Sequence, residues 1–466
     1  MSVNPASPTP VLLAVIHTDR PDAAARLLES LCPVAPDAGV HVVFFDNSAS
    51  PQARTAVRAL VEAASAGAAG FRRVVDVANG QPLHVARTRA SAMAREVAAR
   101  LGQNCVVWML DDDLCFDQLE YDAGALQRRS VAVEHIAECR QLAVTCRSDL
   151  VIGAFTGDPP VRPDAVQANQ LGDLAHALDR FASLAPDDPL PDWTLTPRTE
   201  DDYYDHAEVG AAHVTIRHAW GRRAWADRSV RAQFLALCEE ASRIPSGSAP
   251  FRPLFAEPLR QLRETTEPRR GGNAIFLNVE ALTAHSYPSI AMQNGWSRRS
   301  DMIGATLLCR SGYRVCEGGP QLLHDRTGQP AAAFDAHALI AEFAGVLVSR
   351  AVAGRIPAVG IRQAIGRAAQ ERAERVALMQ SAAVAMGREA LATLERPDVW
   401  WRREGTASAA AGVLAARLRP HVAALDAACT NEILSRLTDP EMLDVVAKFA
   451  GELLVQQGRG EACAGG

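Results

Sequence analysis

The sequence predicts an α/β fold, in which a mixed, mostly parallel sheet is flanked by helices and followed by a helical C-terminal region. Three observations predict it. Over the first 110 residues, short apolar runs alternate with amphipathic stretches, the signature of repeated β-α units. Each apolar run stops at polar or acidic residues, and open sheets of this kind bind ligands beyond the carboxyl ends of their strands. From about residue 331 the chain becomes Ala-rich with a helical period.

The elements follow in order. Residues 11–17 form a buried strand, and Pro21 opens a helix with Leu27, Leu28 and Leu31 turned inward. A second strand over 40–45 stops at Asp46-Asn47-Ser48, and a second helix covers about 51–64. A third strand, 71–77, is broken by Asn79-Gly80. A third helix over about 85–101 presents Ala86, Ala90, Met93, Val97 and Leu101 on one face. A fourth strand, 105–110, runs into Asp111-Asp112-Asp113.

The pattern then weakens from about 160 to 270, where Pro, Asp and Arg accumulate and Trp193, Trp220 and Trp225 appear. This stretch reads as a partly helical insertion. A strand over 274–277, a helix over 300–310 capped by Ser300, and a short strand over 313–316 resume the α/β pattern, and a polar segment then reaches His324. The expected domains are therefore 1–330, with the insertion, and a separable helical unit over 331–466, broken near 397–405.

Composition narrows the function. The chain has 466 residues, 48% of them hydrophobic and 22% charged, which is globular composition rather than disorder. Its 48 basic and 54 acidic residues give a net charge of -6 and argue against a nucleic-acid partner. The longest apolar runs fall far short of the roughly 20 residues that span a bilayer, so no integral membrane segment is expected. The start of the chain lacks the basic residues of a signal peptide. Ten cysteines without a C-x-x-C pair fit a reducing cytoplasm. The oligomeric state is not readable.

Chemistry concentrates at the strand ends: His17-Thr18-Asp19, Asp46, Asn79 and Asp111–Asp113. Alternate side chains of an extended segment point the same way, so Asp111 and Asp113 can share a ligand. Two adjacent carboxylates repel unless a cation lies between them, and hard oxygens suit Mg²⁺ or Mn²⁺. A solvated turn is the competing explanation. The cluster Glu200-Asp201-Asp202-Tyr203-Tyr204-Asp205-His206 follows no apolar strand and reads as a solvated or acceptor-side loop.

These motifs, in this order, resemble the inverting family 2 glycosyltransferases of the GT-A fold over roughly residues 11–160 and 270–326. Val11 through Pro21 looks like the family's first strand and turn, with His17 and Asp19 on the donor side. Phe44-Phe45-Asp46 resembles the strand whose Asp lies near the nucleobase. Asn79-Gly80 and Ala86-Arg87-Thr88 resemble the family's Asn-Gly and Ala-Arg-Asn, with Thr88 in place of Asn. Asp111-Asp112-Asp113 looks like the D-x-D motif that holds metal and nucleotide-sugar diphosphate.

Arg299-Ser300-Asp301 resembles the family's Glu-Asp motif, with Ser at the Glu position, and His324 stands where some members have a third metal ligand. The resemblance implies a metal-dependent, inverting hexosyltransferase-like enzyme. A nucleotide sugar, a UDP-sugar foremost, would be the donor and an unidentified hydroxyl the acceptor. Asp301 would be the catalytic base. His17, Asp19, Asp46, Asn79, Arg87, Asp111 and Asp112 would bind the donor, while Asp111, Asp113 and His324 would hold Mn²⁺ or Mg²⁺. Two alternatives stand beside it: a non-catalytic nucleotide-sugar- or partner-binding protein of the same fold, and a D-x-D phosphatase. The latter needs a lysine to steady phosphate, and the chain's one lysine, Lys448, lies in the helical tail.

Overall fold

A computed structural model describes residues 8–102, 104–122, 125–159, 167–191, 229–255, 262–268, 272–292, 295–329, 336–427 and 430–464. Trp193, Trp220, Trp225 and the acidic cluster from Glu200 to His206 lie outside the described residues.

The strands are β1 (Val11–His17), β2 (Val40–Asp46), β3 (Arg72–Asp76), β4 (Val106–Asp111), β5 (Leu114–Cys115), β6 (Asp117–Asp122), β7 (Ala125–Ser130), β8 (Leu150–Gly157), β9 (Arg263–Glu264), β10 (Asn273–Phe276), β11 (Ala291–Met292), β12 (Gly295–Trp296) and β13 (Val315–His324). The helices are α1 (Pro21–Ser30), α2 (Pro51–Ser65), α3 (Leu83–Leu101), α4 (Ala132–Thr145), α5 (Gln167–Ala182), α6 (Val230–Ala241), α7 (Val279–Ala284), α8 (Ser300–Arg310), α9 (Ala336–Val352), α10 (Ile361–Glu395), α11 (Gly405–Ala427), α12 (Thr430–Leu437) and α13 (Pro440–Ala464).

The main sheet has the order β3-β2-β1-β4-β10-β8-β13-β5, with β9 on β13. β1, β2, β3 and β4 run parallel, β10 runs antiparallel between β4 and β8, and β13 runs parallel to β8. The expected mixed, mostly parallel sheet is present. β1 is buried at every position, because both faces of the sheet are covered. One face packs Leu13, Phe44 and Trp108 under α1, α2 and α4; the other packs Leu12, Phe45 and Met109 under α3 and α8.

Two features depart from the sequence expectation. The short strand expected to end at Cys316 does not stop there. It runs on through the polar segment to His324 as one strand, β13. Register shifts on either side of Gly319 absorb the irregular Glu317–Gln321 stretch. Asn273 supports it by donating Nδ2–H to Pro320 O and Ala154 O, both at 3.0 Å, while accepting the Trp108 indole N–H at 2.7 Å. The second departure is the cap of α8. Ser300 is the first helical residue, and the cap position belongs to Arg299, with no side-chain capping bond.

The helices pack across the expected boundary near residue 330. Leu171, Phe181, Phe234 and Leu237 of α5 and α6 share a core with Ala383, Leu394, Trp401, Leu414 and Leu418 of the C-terminal region. A further core joins Ile303 of α8 to Phe343 and Leu347 of α9, Ile365 of α10 and Val446 of α13. Among the described residues no helix is long and apolar enough to cross a membrane.

Candidate active site

Parallel register places the ends of β1, β2 and β4 side by side: His17 pairs with Asp46, and Ile16 with Asp111. β4 stops at Asp111, and Asp112 and Asp113 enter a turn. The alternation expected of an extended segment therefore ends there, and the three carboxylates face different partners.

Asp111 is gripped by Arg87 of α3, whose Nη2 lies 2.7 and 2.9 Å from its two oxygens. Burial pushes the Asp111 carboxyl up; Arg87 opposes that, and Asp113 and Asp301 add to it. Arg87 is itself buried, yet Asp111, Asp301 and Tyr287 outweigh its desolvation and hold it cationic. Arg87 Nη1 also lies 4.0 Å from Asp301 Oδ1. It thus connects the end of β4 to the first turn of α8, far along the chain.

Asp112 is turned into the protein and is 1% exposed. It accepts the Thr18 backbone N–H at 3.1 Å and pairs with Arg20. His17 Nδ1 lies 3.0 Å from its Oδ2, an ion-pair separation, although the ring does not aim an N–H well enough for a hydrogen bond. Asp112 and His17 therefore brace the turn from within.

Asp113 meets Arg20 Nη1 at 2.9 Å and His324 Nε2 at 3.3 Å. Burial alone would raise its carboxyl, but His324, Arg20 and Arg326 outweigh it and hold the group well below the usual carboxylate range. His324 Nδ1 lies 2.8 Å from Asp158 O. A carbonyl only accepts, so Nδ1 carries the hydrogen and Nε2 faces Asp113. Two acceptors cannot face each other at this distance without a second ring proton or a cation between them. With the second proton the ring pairs directly with Asp113, which is how it lowers that carboxyl; without it, the imidazole nitrogen and the carboxylate oxygen are a donor set that a divalent ion would fit once Arg20 gives up the same oxygen. Asp111 is brought near but is occupied by Arg87. Among the described residues no group of three or more His, Cys, Asp or Glu side chains converges as a metal-binding set.

The remaining predicted residues lie around the β2 and β3 ends. Asp46 is 1% exposed; its Oδ1 accepts the Ser48 N–H at 2.9 Å, and its Oδ2 has no hydrogen-bond partner. Asp19, at φ 52°, accepts the N–H groups of Ala49 and Ser50, which ties the β1 turn to the start of α2. Asn79, exposed and at φ 34°, accepts from Arg54 at 3.2 Å. An open cleft of about 360 Å³ adjoins it, lined by Asp76, Val77, Ala78, Asn79, Gln81 and Arg89.

Sequence reasoning missed several residues of this edge. Arg20 and Arg326 neutralise Asp113, and their place directly after strand ends was a usable signal. Behind Asp301, His285 and Tyr287 pack ring against ring at 4.6 Å, and the Tyr287 hydroxyl lies 3.4 Å from Ser91 Oγ. Nothing in sequence links these to Asp301.

No family model matches the chain, and no curated protein matches it. Among solved structures it is similar to the mannosyltransferase PcManGT from Pyrobaculum calidifontis in complex with GDP-Man and Mn2+. The identity is 14% and the TM-score 0.37, over 89% of this chain and 88% of that one. A likeness of this size leaves function to be argued from the site itself.

Proposed function

We propose that the chain is a glycosyltransferase that moves a sugar from a nucleotide-sugar donor to an acceptor hydroxyl with inversion. One observation carries the reading: Arg87 joins the strand-end acid Asp111 to Asp301, so the D-x-D turn and a second carboxylate occupy the same strand-end edge. Residues 1–330 would carry the chemistry and 331–466 would support it.

Asp301 would take the proton of the acceptor hydroxyl as it attacks the anomeric carbon. Arg87, released from Asp111 by the donor's charge, would keep Asp301 ionised. Asp113 and His324, joined by Asp111, would hold Mn²⁺ or Mg²⁺, which supplies positive charge to stabilise the departing nucleoside diphosphate. Asp46, with its unpartnered buried oxygen, would accept a hydrogen bond from the nucleoside, and Asn79, Asp19 and His17 would shape the pocket around it. Asp112 would serve as a brace.

The test is release of nucleoside diphosphate from UDP-glucose, UDP-N-acetylglucosamine and GDP-mannose, each with and without Mn²⁺. Asp113→Ala should abolish Mn²⁺-dependent binding of UDP or GDP while the fold survives. Asp301→Asn should keep that binding and lower turnover by about 10²- to 10⁴-fold, the usual contribution of a positioned base. Unchanged metal dependence in Asp113→Ala, or wild-type turnover in Asp301→Asn, would remove the corresponding role.

A further inference from the structure

The residue just before α8 adopts a backbone conformation that arginine does not favour. Arg299 has φ 65° and lies in the left-handed region, where a non-glycine residue stays only if its surroundings hold it. Its carbonyl accepts the N–H of Ile303 at 3.0 Å. The first turn of α8, which contains Asp301, is therefore registered to the conformation of Arg299.

The hold comes from α9, in the C-terminal region. Arg299 Nε–H is donated to Glu342 Oε1 at 2.7 Å, and the second Glu342 oxygen lies 3.5 Å from Arg298 Nε. The Arg299 and Glu342 side chains are only 5% and 15% exposed, so this pair is little screened by solvent. The Arg298 N–H is donated to Ala341 O at 3.0 Å. Gly345, one turn on, comes so close that a Cβ there would lie 2.1 Å from Arg298 O. Ala341, Glu342 and Gly345 thus grip residues 298 and 299 from one side. One turn into α8, Gly304 meets Ser286 O, where a Cβ would lie at 1.8 Å. The start of α8 cannot shift toward either neighbour.

We propose that α9 is part of the site and that Glu342 is a positioning residue, which holds Arg299 in its left-handed conformation and so aims the Asp301 carboxylate. The assignment rests on the reading of Asp301 as the base. It gives the C-terminal helices a role in transfer that neither the motifs nor the sheet edge contains. A displacement of the reacting geometry by as little as about 1 Å is enough to cost about 10²-fold in rate, so a loosened first turn of α8 acts on turnover without touching the donor.

The experiment uses the full chain and four variants: Glu342→Ala, Glu342→Gln, Arg299→Gly, and Arg299→Gly combined with Glu342→Ala. Nucleoside diphosphate release from UDP-glucose and GDP-mannose with Mn²⁺ gives kcat and KM. Hydrogen exchange over residues 296–303 reports the clamp directly. Glu342→Ala should lower kcat by about 10-fold or more with the donor KM unchanged, and should speed exchange in 296–303 while the sheet stays protected. Glu342→Gln should fall between Ala and wild type. Glycine occupies the left-handed region without support, so the double variant should recover most of the turnover and the slow exchange. Wild-type kcat in Glu342→Ala, a loss shared equally by kcat and folded fraction, or a double variant no better than Glu342→Ala would overturn the proposal. A wild-type protein that neither turns over any of these donors nor binds UDP or GDP with Mn²⁺ would overturn the glycosyltransferase reading instead. Exchange in 296–303 would then still decide the clamp, and no change there in Glu342→Ala would overturn it.

Discussion

At the carboxyl edge of the sheet, a buried Asp112 and the half-buried Asp111 and Asp113 lie beside Arg87, Arg20 and His324. In the helical half the interior is mostly apolar by contrast, with Phe181, Phe234, Leu394 and Trp401 in one core and a few polar side chains enclosed, the Arg252–Asp173 pair and Gln167 with His421 among them. The two regions fold for different reasons. The edge concentrates charges that oppose one another, and its geometry depends on each having a counter-charge. The helical half depends on shape, and its parts come from distant stretches of chain. One region is held by paired charges, and the other supplies the packing that the first lacks.

The largest expected effect tests whether that support is essential. A chain cut after Gly328 loses α9 to α13. It uncovers Phe181, Phe234 and Leu237 on one side and Ile303 and Ile290 on the other. Each large apolar side chain is worth about 1.5–3 kcal/mol when buried, and a domain has only about 5–15 kcal/mol in total. Residues 1–328 should therefore be insoluble or unfolded, as seen by expression and circular dichroism. A soluble fragment with a cooperative melt would break the comparison and restore the separable unit expected from sequence.

A smaller effect probes the charge inside the apolar half. Arg252 Nε and Asp173 Oδ2 are 2.7 Å apart, and both side chains are almost wholly buried. Arg252→Met takes away the guanidinium that grips the buried Asp173 carboxylate and should cost about 3–5 kcal/mol in chemical denaturation. Combining it with Asp173→Leu should recover much of that loss, because breaking a buried pair costs more than removing it. If the double variant is as unstable as the single, the pair has a role that apolar packing cannot replace.

The same contrast explains what could be read from the sequence. The strand over 11–17 and the helix over 300–310 coincide with β1 and α8, because each carries its own period and its own stop signals. The acidic strand ends were legible for the same reason, since Asp46 and Asp111 follow directly on apolar runs. β13 was only half legible, because its register shifts near Gly319 interrupt the alternation that marks a strand. The partner of each edge charge was mostly illegible. Arg87 and Asp111 are 24 residues apart and Arg299 and Glu342 are 43 apart, and no local pattern records such a pairing. The insertion and the C-terminal helices looked like separate regions because the pattern lapses over the first and an Ala-rich helical period marks the second, while their shared core is a matter of which faces meet.

The smallest expected effect lies between the two regions, in the polar pocket behind Asp301. His285 is 9% exposed, packed edge-on against Phe276 and Tyr287. Burial pushes its pKa down to about 4, with Arg87 adding to the shift and Asp301 opposing it. An unfolded chain protonates the same ring near 6.5. Above that pH the ring is neutral in both states and the shift has no effect on stability. As the pH falls from about 6.5 toward 4, the unfolded chain takes up a proton that the folded one refuses, so stability is lost across that window. At about 1.36 kcal/mol per pKa unit, the loss attributable to this ring is about 2 kcal/mol at pH 5. His285→Gln removes the titration, so its unfolding free energy should fall less between pH 7 and pH 5 than that of the wild type, by about that amount. His41 and His84 shift in the same direction but are less buried, and both remain in the variant, so the difference between the two profiles isolates His285. Asp111 and Asp113 titrate in both proteins and drop out of the same difference. Parallel profiles would mean that the ring is reached by water and that the pocket behind Asp301 is open, which would place it with the solvated edge rather than with the packed half.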